Sequence, residues 1–496
     1  MTTYIVRTRP GPTDAAELLT PRSAIVLERE VEAGIFEAVE GPVERYRREV
    51  DVDEDGTVTQ RISFSVAIPY FGWLFAFGLR RALSRPERAR PPWWAPPARV
   101  DAAGAAALGS IALLGVAFGY LNTLFTQTIP FAGEQFAVTN TAQGVAGSVV
   151  RLGGIVSLAV VAVADRRGRR PVVLATALAG TSLAATGALA PSLSWLVASQ
   201  VLARGFASAL LVLLTIMAAE EMPARARAWA VSLLTMAGGL GAGTCVLSLR
   251  LADLGPGGWR LLYLIPILAV PVILRARGRL PESRRFKATH PEAPVAGHGR
   301  RLWLLAGSGL LASVFVAPQT QFGNQFLRTE RGFSGGRIGL FSALVGAPAA
   351  IGIFAGGHLA DVRGRRIVAA VALVGGACCT IAFFFSSGWP IWVWALVGNI
   401  ITAASIPALG VYGPELFPTS LRGRANGIVT ATGLAGSAIG LTLAGTLADS
   451  FGRIGPAMAM LAVSPLVLAL VVLVAYPETA GAELEDLNPE DRSPTG

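Results

Sequence analysis

Asp165-Arg166-Arg167-Gly168-Arg169-Arg170 and its echo Asp361-Val362-Arg363-Gly364-Arg365-Arg366 stand 196 residues apart. Each copy follows a long apolar run and precedes another. Five of the six residues in the first copy are charged. Such a segment cannot lie in hydrocarbon, so each copy is expected to be a tight loop between two membrane helices. Short loops rich in Arg stay on the cytoplasmic side, which gives both loops an orientation.

Composition agrees with this reading. The chain has 496 residues, 52% hydrophobic and 15% charged, where a soluble domain carries about 25% charged residues. Lipid is expected to replace water around much of the surface. The net charge of +10 does not point to nucleic acid, because the arginines cluster in loops between apolar runs. Cys245, Cys378 and Cys379 all fall in apolar runs, with neither metal-ligand spacing nor a disulfide framework. Met1 to Leu19 contains no apolar signal core, so no cleavable signal peptide is expected.

Residues 1–100 read differently from the rest, as a small cytosolic α+β domain with a linker. Tyr46, Arg48, Val50 and Val52 alternate with other residues, Asp53-Glu54-Asp55-Gly56 supplies a turn, and Ile62, Phe64, Val66 and Ile68 alternate again. That pattern predicts a β-hairpin. Tyr70 to Leu83 is an apolar helix too short to span a bilayer. Two readings are open for it: the core helix of the domain, or a helix lying on the membrane with Arg80, Arg81, Arg85, Arg88 and Arg90 near anionic lipid. Pro91-Pro92-Trp93-Trp94-Ala95-Pro96-Pro97 reads as a stiff linker.

From about residue 104 apolar runs of about 20 residues recur, the length a helix needs to cross hydrocarbon. Spans are expected near 104–129, 142–163, 171–190, 194–218, 227–249 and 258–276, then near 302–325, 337–359, 367–387, 390–412, 425–447 and 456–476. The first six form one half, 101–276. A basic connector, 277–301, leads to a second half, 302–480, and an acidic tail, 481–496. Twelve spans put both termini and the Arg-rich loops on one side, the cytoplasm. The loop at 328–337 on the other side also holds Arg328, Arg331 and Arg337, an exception to the bias.

The repeat is broader than one motif. Glu220-Glu221-Met222-Pro223, with Arg227 downstream, maps onto Glu415-Leu416-Phe417-Pro418, with Arg422 downstream, at an offset of 195. Pro281-Glu282-Ser283 maps onto Pro477-Glu478-Thr479 at 196. Two duplicated six-helix halves with a substrate path between them follow from this. These motifs resemble the major facilitator superfamily of secondary transporters, over about residues 104–480. Pro281-Glu282-Ser283-Arg284-Arg285, Pro414-Glu415-Leu416-Phe417-Pro418-Thr419 and Pro477-Glu478-Thr479 resemble its sugar and metabolite porter branch. The resemblance implies an all-α membrane fold of twelve helices behind the small α+β domain. It also implies a cytoplasmic gate of Asp165, Arg169, Arg170, Glu220, Arg227 and Glu282, with Asp361, Arg365, Arg366, Glu415, Arg422 and Glu478 in the second half. Bidentate Arg–carboxylate pairs hold one geometry when partly dry and rehydrate when the halves part. The alternative is a solvated charge run, each pair worth about 0–1 kcal/mol. The family's Gly four residues before the motif aspartate is Gly357 in the second copy but Val161 in the first, which puts close helix approach there in question.

Polar residues within spans usually face the bundle interior. Asn122 and Gln127 lie in the first span. Gln319, Gln321, Asn324 and Gln325 lie in the seventh, where Gln321, Asn324 and Gln325 share one face. Sugar porters bind hydroxyls with amides of the seventh span, so the resemblance implies substrate binding by Gln319, Gln321 and Asn324, and Asn122 and Gln127, polar at comparable depth in the first span, are read as binding residues beside them. Hydrogen bonding between helices is the competing role. Arg151 and Arg204 lie roughly 14–15 Å deep in their spans, with no Asp or Glu in the central part of any span. Each must meet water, carbonyls or an anionic ligand. Arg204 is the stronger candidate, because the fourth span lines the cavity in the family resembled. Gly239 and Gly243 in the fifth span and Gly433, Gly436 and Gly440 in the eleventh are expected to let helices approach closely.

Catalysis has little support: there is no catalytic order of Ser, His and Asp and no phosphate loop, and the three histidines, His290, His298 and His358, form no site. No metal or cofactor is expected. The leading expectation is a monomeric plasma-membrane carrier, secondary active or facilitative, for a small polar or anionic organic solute. Protons are a candidate coupling ion, although Phe118-Gly119-Tyr120-Leu121-Asn122 lacks the acidic residue many proton-coupled relatives carry. Multidrug efflux and a transporter-like solute sensor are the alternatives.

Overall fold

A computed structural model of the chain describes residues 2–8, 17–53, 56–85, 95–96, 98–223, 226–278, 280, 299–410, 412 and 422–479, with the side chains of 2, 165, 219, 228, 361 and 422–426 left aside. Glu282 and Glu415 of the expected gate lie outside the described residues, as do the side chains of Asp165, Asp361 and Arg422.

The expected hairpin is present. Strands β4 (Val43–Val52) and β5 (Val58–Val66) pair antiparallel, with Val52 opposite Val58. Gly56 at the turn has φ +78°, a left-handed conformation that glycine adopts without Cβ strain. Three further strands, β1 (Thr2–Thr8), β2 (Leu27–Glu32) and β3 (Ile35–Glu40), complete a sheet in the order β1-β5-β4-β3-β2. Tyr4, Tyr46, Ile62 and Phe64 pack against Leu79 and Leu83 of helix α1 (Gly72–Leu83). Arg48 shares that inner face and is fully buried. Its guanidinium donates to Glu28 at 2.5 Å and to the carbonyls of Leu18 and Thr20 at 2.6 and 2.9 Å. The Tyr46 hydroxyl donates to the same carboxylate. Burial, followed by the Glu28 charge, pushes the Tyr46 phenol well above its usual range. Removing one partner of such a pair costs about 3–5 kcal/mol.

Among the described residues, eleven helices are long and apolar enough to cross a membrane: Ala102–Gln135, Asn140–Ala164, Arg169–Leu189, Leu193–Ala218, Trp229–Leu254, Gly299–Glu330, Gly335–Ala360, Arg365–Phe385, Pro390–Gly410, Gly427–Phe451 and Ile454–Ala475. The expected sixth span is broken into Arg260–Leu264, a 3-10 stretch Ile265–Ala269, and Val270–Ala276. Pro266 and Pro271 start the second and third pieces, and each removes a backbone donor. With that broken segment counted sixth, the helices number one to twelve.

Span one packs on span five, and span seven on span eleven, through glycine. An added Cβ at Gly119 would stand 1.8 Å from the Gly238 carbonyl oxygen, and one at Gly241 1.9 Å from that of Val116. Added Cβ atoms at Gly436 and Gly440 would likewise stand 2.3 and 2.1 Å from the carbonyl oxygens of Leu310 and Val314. Gly239 and Gly243 have no neighbour within 4 Å. The close face of span five therefore belongs to Gly238 and Gly241 instead. At Gly357 a Cβ would meet only Pro407 at 3.7 Å, so Val161 at the matching place needs no wider helix spacing. The tight contacts of span eight are at Gly352 and Gly356, with Ile400 and Ala404 of span ten.

Candidate functional site

A cavity of about 290 Å³ opens among spans seven, eight, nine and ten, with one residue from span one. Gln127, Gln319, Asn324 and Asn399 offer amides to it, Thr320, Thr380 and Thr402 offer hydroxyls, and Phe341, Phe383 and Trp394 offer ring faces. Among the described residues, no charged side chain lines it. Gln319 donates to Thr380 Oγ1 at 3.0 Å, and Asn324 donates to Gln127 Oε1 at 2.9 Å across the two halves. Three of the seven residues read from the sequence as substrate-binding thus meet at one wall. Gln321 faces elsewhere: it is 2% exposed and donates to the Gln143 carbonyl of span two at 2.9 Å.

Arg151 flanks the cavity. Its guanidinium donates to Thr320 Oγ1 at 3.4 Å, and Thr320 lines the cavity wall. Arg204 donates to the Asn122 carbonyl at 2.9 Å. Asn122 meets Arg204 through its backbone. Spans two and four cross closely at Gly153 and Gly205, two residues after Arg151 and one after Arg204. Among the described residues neither forms an ion pair.

At the end away from the Arg-rich motifs, the halves are joined by two matching contacts. Thr139 caps span two by accepting from Ala142 N–H, and Asp449 at the end of span eleven accepts from Asn140 and Thr141 N–H at 3.0 and 2.7 Å. Asp449 also takes Asn140 Nδ2 at 2.9 Å and Thr141 Oγ1 at 2.5 Å. Ser334 likewise caps span eight by accepting from Arg337 N–H, and Asp253 at the end of span five accepts from Gly335 and Gly336 N–H at 2.6 and 2.8 Å. The first three amides of a helix have no partner within it, and they attract negative charge. Here each set is satisfied by one local cap and one carboxylate from the opposite half. The backbone closes with them: Gly144 faces the Leu441 carbonyl and Gly339 the Val246 carbonyl, at 2.3 and 2.5 Å from an added Cβ. Arg328 adds a pair to Glu134 at 3.0 Å. The loop arginines that break the charge bias are thus engaged locally, Arg331 on the Ser386 carbonyl and Arg337 over the Phe333 ring.

At the motif end, four contacts lie within single halves. Arg169 pairs with Glu220, and Arg170 donates to the Arg277 carbonyl. Glu478 accepts from the backbone N–H groups of Arg365 and Arg366 at 2.9 and 3.3 Å, beneath Gly364 at φ +98°. Arg365 also donates to Thr479 Oγ1 at 2.8 Å. Arg227 opens the fifth helix, half-buried.

A family model described as Major Facilitator Superfamily matches residues 111–322 and 305–494. The chain belongs to that superfamily. Its fold is that of a multi-pass membrane transporter. The Bacillus subtilis protein NiaP, named as a candidate niacin/nicotinamide transporter, is 24% identical to this facilitator over 335 residues, 65% of this chain and 83% of that one. Myo-inositol transporter 1 of Saccharomyces cerevisiae is 32% identical over 151 residues, 26% of this chain and 25% of that one. The inward-open xylose transporter XylE from E. coli superposes with a TM-score of 0.66 at 17% identity, over 77% of this chain and 98% of that one. An inward-facing bacterial homologue of the human lysosomal transporter Spinster gives 0.64 at 16%, over 79% and 99%. At these identities the structural likeness speaks for the facilitator fold.

Sequence reasoning missed Asp253 and Asp449, although the signal was there. Leu251-Ala252-Asp253 and Leu447-Ala448-Asp449 repeat at the same offset of 196 as the motif aspartates. It also missed Trp394 and Asn399 in the facilitator's cavity, isolated residues of an apolar span that no periodicity marks.

Proposed function

We propose that this facilitator moves a small polar organic anion by alternating access, as a secondary active or facilitative carrier. The anionic group sits at Arg151 and Arg204, and the polar remainder enters the amide-lined cavity. The observation that carries this is a pair of intramembrane arginines without an ion-pair partner among the described residues, beside a cavity whose own lining is neutral. A guanidinium at such depth is costly unless an anion or water meets it. A substrate carboxylate would supply two acceptors to either fork. NiaP is named for niacin, which is a carboxylate, and for nicotinamide, its neutral amide. A cavity of about 290 Å³ with amides and hydroxyls suits a small solute better than the bulky aromatic cargo of multidrug efflux.

The motif end is the cytoplasmic end in this proposal, since its loops carry the clustered arginines, and the membrane is the plasma membrane. The state described here is then closed to the outside. The motif charge set, Asp165 to Glu282 and Asp361 to Glu478, closes the cytoplasmic end in the opposite state, in which Asp253 and Asp449 leave their helix ends.

Reconstituted full-length chain in liposomes tests the anion reading with nicotinate against nicotinamide and benzoate against benzamide. Arg204→Gln is expected to lower uptake of the acids by about tenfold, roughly 1.4 kcal/mol, and to leave the amides within about twofold. Equal losses for acid and amide, or robust transport of a cation by the native chain, would overturn the proposal. One solved neighbour is described as a D-xylose–proton symporter, so a pH-gradient arm belongs in the assay. Binding without flux would favour the sensor reading.

A further inference from the structure

Trp73, Leu74 and Phe77 of helix α1 are 75%, 58% and 73% exposed. The opposite face of that helix, Leu79 and Leu83, is packed into the sheet. By helical spacing, Trp73, Leu74 and Phe77 continue into Arg80 and Arg81 as one stripe. It is apolar for two turns and basic in the last, with Arg85 just beyond. Three large apolar side chains together on one exposed face call for an occupant.

The position of α1 decides what that occupant is. Pro69, just before the helix, packs on Gly109 of span one, where an added Cβ would stand 2.7 Å from Pro69 Cδ and 2.9 Å from its carbonyl oxygen. Gly109 lies about 10 Å along a helix that starts at Ala102. Phe75 and Leu79 share an apolar crevice with Ala105 and Leu108 of span one and Trp229 at the start of span five. Helix α1 therefore lies beside the opening turns of two membrane spans. At that level the surroundings pass from lipid headgroups to hydrocarbon.

We propose that α1 is an interfacial helix. Trp73, Leu74 and Phe77 sink into the acyl boundary of the bilayer that holds the spans, and Arg80, Arg81 and Arg85 face the phosphates of anionic lipids. An apolar face with a basic end is the pattern of helices that lie in the membrane plane, and Trp favours that depth. Each Arg near an anionic surface adds about fivefold in association, about 1 kcal/mol. The N-terminal domain is thereby held at span one, at span five and by lipid. This inference is independent of the substrate assignment.

A spin label tests it in the full chain, carried in nanodiscs by Phe77→Cys in a background of Cys245→Ala, Cys378→Ala and Cys379→Ala. The ratio of oxygen to polar nickel-chelate accessibility is expected to be several-fold above that of a Val39→Cys label on the outer face of the sheet, where Val39 is 60% exposed. A ratio equal to that at Val39 would overturn the proposal. So would a Phe77 label shielded from both reagents, because a protein partner or a second copy would then cover the face. On exchanging phosphatidylcholine for phosphatidylglycerol the ratio should rise, and Arg80→Gln with Arg81→Gln should erase that rise. A rise that survives overturns the anionic-lipid assignment. If the labelled chains do not assemble, quenching by brominated lipid decides instead: the native chain should lose more emission than Trp73→Phe, and equal quenching refutes the proposal.

Discussion

The two ends of the helical bundle put the same chemistry to opposite uses. At both, a carboxylate accepts from the first amides of a helix. At the far end Asp449 and Asp253 cap helices of the other half. At the motif end Glu478 caps span nine from within its own half, and Arg169 pairs with Glu220 inside the first half. A contact inside one half survives a rigid-body rocking of the halves, whereas a contact between halves must break for that end to open. The chemistry of a residue therefore does not say whether it is a gate or a brace; the half to which its partner belongs does.

The sharpest way to break this contrast is Asp253→Ala combined with Asp449→Ala. Hydrogen bonds to charged groups are worth about 1.5–3 kcal/mol each. Losing both caps should cost the closed far end on the order of 3 kcal/mol or more. A Gln325→Cys reporter, buried in the seam at 6% exposure in the native residue, should then react with an impermeant thiol reagent at least about tenfold faster from the far side. An unchanged rate would remove the latch from the far end.

Smaller shifts should separate the single changes. Asp449→Ala is expected to exceed Asp253→Ala, because Asp449 also holds the Asn140 amide and the Thr141 hydroxyl. About 1.5–3 kcal/mol is expected for the first and about half of that for the second. The same reporter measures both, and a reversed order would place the strength of the seam on spans five and eight.

The smallest effects are expected at the motif end. Glu478→Gln should cost about 0.5–2 kcal/mol as a lost helix cap, and Glu220→Gln about 0.5–1.5 kcal/mol, because the pair with Arg169 is only 13–15% exposed but the amide can still accept one hydrogen bond. Both should appear as a lower melting temperature in detergent with the far-end reporter rate unchanged. A faster reporter in either variant would show that these pairs already couple the halves.

Much of the molecule was legible in residue order, but unevenly. The alternation around Asp53–Gly56 predicted β4 and β5, whereas β2 and β3, Leu27–Glu32 and Ile35–Glu40, are too charged to stand out as strands. The apolar run at 258–276 was visible as a crossing segment, but Pro266 and Pro271 divide it. Gln127, Gln319 and Asn324 were found because amides are rare in apolar helices. Gln321 was grouped with them by helical spacing, yet it turns to span two, since spacing names a face without saying what lies opposite. The same limit misassigned the close face of span five to Gly239 and Gly243.

Hydrocarbon thickness acts on local composition, so the lengths of the crossing segments, their number and their twofold repetition at 195–196 residues follow from the order of residues alone. The small β domain before them follows from its hairpin in the same way. Which residues join the halves does not. Asn140 meets Asp449 and Asp253 meets Gly335 only after long helices have taken one rotation and one crossing point. Backbone contact at glycines such as Gly144 and Gly339 permits that arrangement, through distances of a few tenths of an ångström that no local pattern encodes.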